Sequence, residues 1–255
     1  FCGGLFSAFK VADVGVMLIN AQNGFEVGSE IQARYARSHD KPIIAVINQL
    51  DSEKASWEAS LDSIRAASQV TPVVVQYPVN PGPDFNAFID VLLMKMYKFK
   101  GDTGIREELD IPAEEMERAT ELNRILTEAA AENDEALMEL YFEKGVLTQD
   151  ELRSGLKLGL AKRDLIPVFC ASGKRDIGAK RLMEFIINVA PGPLKAPNFV
   201  TVDGREIEPD SNGPTALFVF KTTVEPHLGE VTYFRVVSGL SLIHISEPTR
   251  RVVIS

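Results

Sequence analysis

The side chains best suited to recognise a ligand are Asn48, Gln49 and Asp51, which directly follow the apolar run of residues 43–47. A carboxylate at Asp51 can accept two hydrogen bonds from neighbouring N–H groups. Guanine presents such a pair at N1 and its exocyclic amine, and adenine presents the opposite polarity. An unpaired carboxylate in a dry pocket costs about 1–3 kcal/mol, so one residue can set base identity. Asn48 could bond the N7 side of a purine and brace neighbouring loops.

An Asn-x-x-Asp tetrapeptide alone is weak support, because both residues also cap turns after strands. Ser172 and Gly173 strengthen the interpretation, since they follow a second apolar run at residues 166–171. Ligands of open parallel sheets bind at the carboxyl ends of strands. The two strand ends therefore predict one guanine pocket, with the Gly173 N–H free to approach the base.

The residues around these motifs predict a parallel sheet with helices on both faces. Continuous apolar runs indicate buried strands, and the segments between them carry helical spacing. The predicted strands are residues 14–19, 43–47, 73–77 and 166–171, and the predicted helices are 30–38, 56–68 and 178–190.

The segment after residue 77 departs from this alternation. A turn-rich stretch at 78–84 leads into long acidic helices, for which Gly145 is a predicted C-cap. Thr148 and Glu151 predict a capping box that opens a third helix, ending near Lys162. Beyond residue 192, two segments alternate with period two, which predicts antiparallel strands of a new β domain.

Five segments together resemble the translational GTPases, and among them elongation factor G. They are FKVADVGVMLINAQNGFEVGSE, VINQLD, the helical stretch from IREELDIP to LTQDELRSGL, PVFCASGKRDIG and GEVTYFRVVSG. The resemblance implies an α/β fold: an incomplete P-loop-type GTPase domain with an inserted α+β subdomain, then the start of a β-barrel domain. The expected boundaries are 1–77 and 161–192 for the GTPase domain, 78–160 for the insertion and 193–239 for the second domain.

The resemblance also implies a GTP or GDP site formed by Asn48, Gln49, Asp51, Ser172 and Gly173. Gly173 stands where the family usually has alanine, and this replacement keeps the backbone N–H donor. Gln49 stands where the family usually has lysine, whose stem covers the base and whose ammonium reaches the phosphate loop. We expect glutamine in place of lysine to weaken the binding free energy of the nucleotide by about 1–2 kcal/mol, which lowers the affinity roughly tenfold. An adjusted but equivalent pocket is the alternative.

Residues 1–239 contain neither a GxxxxGK[ST] motif nor a DxxG motif with its following histidine. The family places both upstream of Phe1, so no catalytic or metal-binding residue is predicted in this chain, and Mg²⁺ is expected to bind through residues outside it. Without them the fragment itself is expected to be inactive. His39 and His227 are interpreted as structural, and the glutamate clusters of the insertion as solvated helix faces.

The last residues have a different origin in our interpretation. Residues 240–250 resemble the translation of a transposase adapter used in sequencing libraries, so residues 240–255 are set apart as a non-native tail. The alternative is a natural apolar strand with a turn at Glu247 and Pro248.

Composition indicates a soluble, cytoplasmic protein, and we expect a monomer with no membrane association. The chain has 255 residues, 45% hydrophobic content and a net charge of −9, which argues against a generic basic surface for nucleic acid. Cys2 and Cys170 are interpreted as free thiols of a reducing compartment.

The partners implied by the resemblance are the ribosome, through rRNA and stalk proteins, and indirectly the tRNA–mRNA complex. Two functions stay open: a GTPase that promotes translocation, and a ribosome-binding switch with little or no hydrolysis that serves ribosome protection or regulation. An unrelated α/β domain with a chance Asn-Gln-Leu-Asp is the third interpretation.

Overall fold

A computed structural model of the chain describes residues 2–195 and 198–240. These residues fall into two compact units, one formed by Val14–Ala190 and the other by the residues before 14 and after 190. Apart from Leu240, the predicted non-native tail lies outside the described residues, as does its alternative strand.

The helices are α1 (Cys2–Val11), α2 (Val27–Ser38), α3 (Trp57–Ala67), α4 (Ala113–Ala131), α5 (Glu135–Lys144), α6 (Gln149–Lys162) and α7 (Ala179–Val189). The strands of the larger unit are β1 (Gly15–Asn20), β2 (Ile43–Asn48), β3 (Thr71–Val74), β4 (Gln76–Pro78), β5 (Ala87–Asp90), β6 (Lys95–Phe99), β7 (Arg106–Leu109) and β8 (Leu165–Cys170). Those of the smaller unit are β9 (Phe199–Val200), β10 (Glu206–Ile207), β11 (Ala216–Glu225) and β12 (Gly229–Ser238).

A four-stranded parallel sheet in the order β1-β2-β8-β3 forms the core of the larger unit. The middle of β2 is buried on both faces, with Ile44, Val46 and Ile47 at most 1% exposed. Such strands need helices on their faces. Helix α2 packs against β1, α3 against β2 and β3, and α6 against β8. The predicted α/β class is therefore confirmed.

The local signals for helix ends give the expected caps. Ser56 accepts a hydrogen bond from the Ala59 N–H at the start of α3. Thr148 and Glu151 form the predicted capping box of α6. Gly145 ends α5 with φ +71°, a left-handed conformation that glycine adopts without steric cost. The predictions for Gly145 and for Thr148 with Glu151 are confirmed because each depends only on residues within one turn.

The predicted strand at 73–77 is wrong in one respect, because it breaks at Val75 and serves two sheets. The Val75 N–H donates to Val168 O of the parallel sheet at 2.9 Å, and its carbonyl accepts from the Val91 N–H at 2.8 Å. Beyond it, β4 opens an antiparallel sheet in the order β4-β5-β6-β7. A continuous apolar run cannot show this change, because both halves are buried.

The smaller unit contains α1, the pair β9–β10 and the hairpin β11–β12. Both pairs are antiparallel, and the period-two pattern predicted this for β11–β12. Helix α1 packs against β11, and Arg235 on β12 pairs with the Asp13 carboxylate at 2.8 Å. Residues 2–13 therefore group with the C-terminal segment, whereas the sequence analysis grouped them with residues 14–77.

Candidate functional site

The loop after β2 presents the first set of candidate residues at the carboxyl edge of the parallel sheet. Asn48 is the last residue of β2, and Asn20 at the end of β1 is its partner in register. Leu50 is fully buried and anchors the loop. Its N–H donates to Ala171 O at 3.3 Å, so the loop is tied to the chain that leaves β8.

Gln49 adopts a left-handed backbone conformation, with φ +64°. This region costs a residue with a side chain roughly 1–2 kcal/mol. The conformation turns the chain so that Leu50 points into the core while the Gln49 side chain stays exposed. The position therefore tolerates long polar side chains. Core packing does not restrict which residue stands there, so the side chain can be one that contacts a ligand.

Two hydrogen bonds join the predicted halves of the pocket. Ser172 donates from its hydroxyl to Asp51 Oδ1 at 2.7 Å. Gly173 donates from its N–H to Asn48 Oδ1 at 2.9 Å. The structure thus brings together Asn48, Asp51, Ser172 and Gly173 from loops more than 120 residues apart in sequence.

Ser172 is held firmly enough to orient the carboxylate. Its backbone exchanges two hydrogen bonds with Ile177, each 3.0 Å long, and its side chain is fully buried. Its Oγ accepts from the Arg175 N–H at 3.3 Å, so the single hydroxyl proton is directed to Asp51.

Asp51 keeps acceptor capacity for a ligand. Ser172 occupies one lone pair of Oδ1, and an ionised carboxylate offers about four lone-pair sites on its two oxygens. The side chain is half-buried, which raises the cost of leaving it unpaired. This donor and acceptor set fits a base edge with two adjacent N–H groups, which is the chemistry of guanine.

The expected free N–H of Gly173 is not found, because Asn48 occupies it. Of the two roles considered for Asn48, the structure shows the bracing one. A Cβ added at Gly173 would lie 3.7 Å from Asn48 Oδ1, an ordinary contact, so the position has room for the alanine usual in the family.

Sequence reasoning missed a third loop that supports the site. Gly82 donates from its N–H to Leu50 O at 2.7 Å, and Arg175 Nη1 donates to Phe85 O at 3.3 Å. The turn-rich stretch at 78–84 was visible, but it was interpreted only as a boundary. Its contact with the loop after β2 depends on tertiary packing that no local pattern encodes.

The cysteines and histidines considered in the sequence lie outside the candidate pocket or are not described. Cys170 ends β8 fully buried, and that burial, followed by the nearby charge of Asp90, raises the pKa of its thiol well above the usual value, so the thiolate is disfavoured. The side chain of Cys2 is outside the part of the chain that the structure describes. His39 caps the end of α2, and His227 lies in the turn between β11 and β12.

Two features are absent from the described residues. Residues 2–195 and 198–240 contain no group of three or more His, Cys, Asp or Glu side chains arranged to hold a metal ion. Over the same residues, none of the helices has the length and apolar character needed to cross a bilayer.

Comparisons with known proteins show the family of the chain. Residues 1–192 match the family model described as the elongation factor Tu GTP binding domain. The chain is 32% identical over 238 residues to elongation factor G of Thermotoga maritima, and equally to that of Thermotoga sp. strain RQ2. Each alignment covers 91% of this chain and 34% of the relative, so the chain spans about a third of the length of these proteins.

A solved structure supports the fold. The crystal structure of a protein from Thermus thermophilus aligns with 94% of this chain and 34% of its own, at a TM-score of 0.80 and 28% identity. The family model covers the loops that carry Asn48, Asp51, Ser172 and Gly173. The chain therefore belongs to the family of the elongation factor Tu GTP-binding domain.

Proposed function

We propose that this chain contributes the base-recognition half of a guanine nucleotide site. Asp51 would accept from N1 and the exocyclic amine, while Asn48, Ser172 and Gly173 hold the two loops in register. The observation that carries the proposal is the Ser172 to Asp51 hydrogen bond, because it orients the one carboxylate that reads the base. Membership of the GTP-binding family supports the same ligand.

Gln49 completes the pocket in a modified form. Its exposed side chain follows a left-handed turn, where the stem of a longer side chain could lie over one face of the base. Glutamine keeps an amide donor but lacks the charge that lysine would direct towards the phosphate loop. Guanine binding is therefore retained with roughly tenfold lower affinity than with lysine.

The whole protein is then a translational GTPase of the elongation factor G type, a cytoplasmic monomer that promotes movement of tRNA and mRNA on the ribosome. Its similarity to elongation factor G over 91% of this chain supports this function. The P-loop, the Mg²⁺ ligand and the residue that positions water would come from other parts of the protein, so this chain alone would not hydrolyse GTP.

The alternative is a ribosome-binding switch that binds guanine nucleotide and hydrolyses it slowly or not at all. Gln49 is the observation that favours it, because glutamine in place of lysine removes a charge that would reach the phosphate loop. The elongation factor interpretation is preferred, since the absence of the lysine charge does not change the residues that perform hydrolysis.

An assay of the whole protein with ribosomes separates the two functions. Pre-translocation ribosomes carrying labelled mRNA are mixed with the protein and either GTP or a non-hydrolysable analogue, and both mRNA movement and phosphate release are followed. The proposal predicts ribosome-stimulated phosphate release and movement that is faster with GTP. Nucleotide-dependent ribosome binding without phosphate release would establish the alternative, and absence of guanine nucleotide binding would exclude both.

A further inference from the structure

An apolar cavity of ≈ 70 Å³ lies between α2, α3 and the parallel sheet, away from the candidate nucleotide site. Its sheet wall includes Ile43 and Leu165, the first residues of β2 and β8. Asn48 and Ser172 lie at the opposite, carboxyl ends of these two strands. The cavity is therefore a separate feature of the same sheet.

The interior of the cavity is apolar. Ile19 on β1, Ala45 on β2 and Ile64 on α3 line it, and each is at most 2% exposed. Its volume is several times the roughly 10–15 Å³ that one water molecule needs, yet these side chains offer water no hydrogen-bonding group. Such a space favours an alkyl or aryl group over water.

The rim of the cavity is cationic. Its charged lining residues are Arg37, Lys41 and Arg163, and no carboxylate is among the described residues that line it. Arg163 is already held by Asp40, with Nη2 3.2 Å from Oδ1 and Nη1 3.2 Å from the carbonyl oxygen. Among the described residues, no carboxylate lies within salt-bridge distance of Arg37, so the Arg37 guanidinium is the positive charge that the mouth offers to a ligand.

We propose that this cavity binds a small amphipathic anion, namely a carboxylate on a short unbranched alkyl chain. The alkyl chain would pack against Ile19, Ala45 and Ile64, and the carboxylate would remain at the mouth beside Arg37. A neutral ligand would lose the charge-assisted hydrogen bond, and a cationic one would be repelled. The combination of wall and rim therefore selects the class of ligand.

A ligand in this cavity contacts β1, β2 and α3 together. The first two strands end in Asn20 and Asn48, which are partners in register. A bound anion would therefore stabilise the sheet that carries the loop of Asp51. The proposal does not depend on nucleotide binding, because none of the cavity residues belongs to the candidate guanine site.

The test is a titration of the whole protein with hexanoate. Binding is measured by isothermal titration calorimetry and by NMR of methyl groups in the cavity. Butanoate, hexanoate and octanoate should bind with affinity rising roughly fourfold for each added methylene until the cavity is filled. Hexanol should bind more weakly than hexanoate, and hexylammonium more weakly still.

Two variants and a matched control locate the site. Arg37→Gln should weaken hexanoate about tenfold and leave hexanol unchanged, because only the charge-assisted hydrogen bond is lost. Arg34→Gln removes an exposed arginine one turn away on the same helix, and it should change neither the affinity for hexanoate nor that for hexanol. Ala33→Leu, which enlarges a half-buried side chain in the cavity wall, should weaken both ligands by roughly tenfold or more.

The outcomes decide the proposal even if Ala33→Leu fails to fold, since Arg37 is exposed and its substitution is tolerable. Chain-length dependence together with a selective effect of Arg37→Gln would support it. Absence of saturable hexanoate binding would overturn it. An equal effect of Arg37→Gln and Arg34→Gln would also overturn it, by showing only general attraction to a basic surface.

Discussion

At the scale of single residues, the site depends on which acceptor each of two hydrogen-bond donors bonds to. The hydroxyl proton of Ser172 is committed to Asp51, and the N–H of Gly173 is committed to Asn48. The candidate residues could be named from sequence because strand ends and side-chain types are local features. The bond between Gly173 and Asn48 could not, since it depends on the separation of two loops in the folded chain.

Gln49→Lys tests the interpretation of the altered motif. Lysine should raise the affinity for GDP about tenfold by restoring a charge-assisted bond to the phosphate loop. The melting temperature should stay unchanged, because the side chain is exposed and both residues have the same strain at φ +64°. Calorimetric titration of the whole protein with GDP measures the affinity.

Gln49→Met is the matched control, since it keeps a stem of similar length without the charge. Its affinity should stay within a factor of about three of the parent protein. If lysine and methionine raise the affinity equally, the stem and not the charge limits binding, and our account of Gln49 fails.

At the scale of elements, close packing of α4 on α6 holds the inserted segment together. A Cβ at Gly155 would lie 2.5 Å from Ala130 O, and one at Gly159 would lie 2.5 Å from Asn133 Nδ2. Sequence patterns predicted both helices and the capping box of α6, because those signals are local in the sequence. They did not predict the glycine contact, nor the break of the predicted strand at Val75.

Gly155→Ala should lower the free energy of unfolding by about 1–3 kcal/mol, because the new methyl group collides with the backbone of α4. Chemical denaturation followed by circular dichroism measures the change. Gly28→Ala is the control, since a Cβ there meets nothing within 4 Å and φ is not positive. It should stabilise by about 0.4–1 kcal/mol, and equal losses at the two positions would refute the packing explanation.

The capping box of α6 should give an acid-sensitive contribution to stability. The hydrogen bonds that Glu151 accepts, first from the Thr148 backbone and then from its hydroxyl, lower the pKa of its carboxyl. A lowered pKa means that the contribution is present above the unfolded pKa of about 4.3 and is lost as pH falls through the folded value.

Glu151→Gln should therefore destabilise the protein at neutral pH and make little difference at acidic pH, where both side chains are neutral. Denaturation curves at several pH values measure this convergence. A difference that stays constant across pH would show that the charge of Glu151 does not contribute.

At the scale of the whole larger unit, a buried ion pair joins the antiparallel sheet to α7. Arg181 Nε lies 2.7 Å from Asp90 Oδ2, and Asp90 is fully buried. Gln76 and the Leu93 N–H also donate to this carboxylate. The partners are 91 residues apart, so the sequence shows two ordinary charged residues and no sign of their pairing.

Arg181→Leu should lower the free energy of unfolding by about 3–5 kcal/mol, because it leaves a buried carboxylate without its counter-charge. Adding Asp90→Asn should recover part of the loss, since the neutral amide needs no counter-charge. Arg65→Leu removes an exposed pair with Asp62 and should cost less than about 1 kcal/mol. A loss for Arg181→Leu as small as that control would contradict the proposed role of the ion pair.

The central claim is that Asp51 reads guanine, and exchange of the base in the nucleotide tests it most directly. Xanthine carries a carbonyl where guanine carries its exocyclic amine. An asparagine amide at position 51 can donate to that carbonyl, so Asp51→Asn should favour xanthine. GDP and xanthosine diphosphate are titrated against the whole protein, Asp51→Asn and the exposed control Asp62→Asn. We predict that Asp51→Asn weakens GDP by roughly one to two powers of ten and tightens xanthosine diphosphate, while Asp62→Asn changes neither. A folded Asp51→Asn protein that keeps the parent preference for GDP would contradict the account.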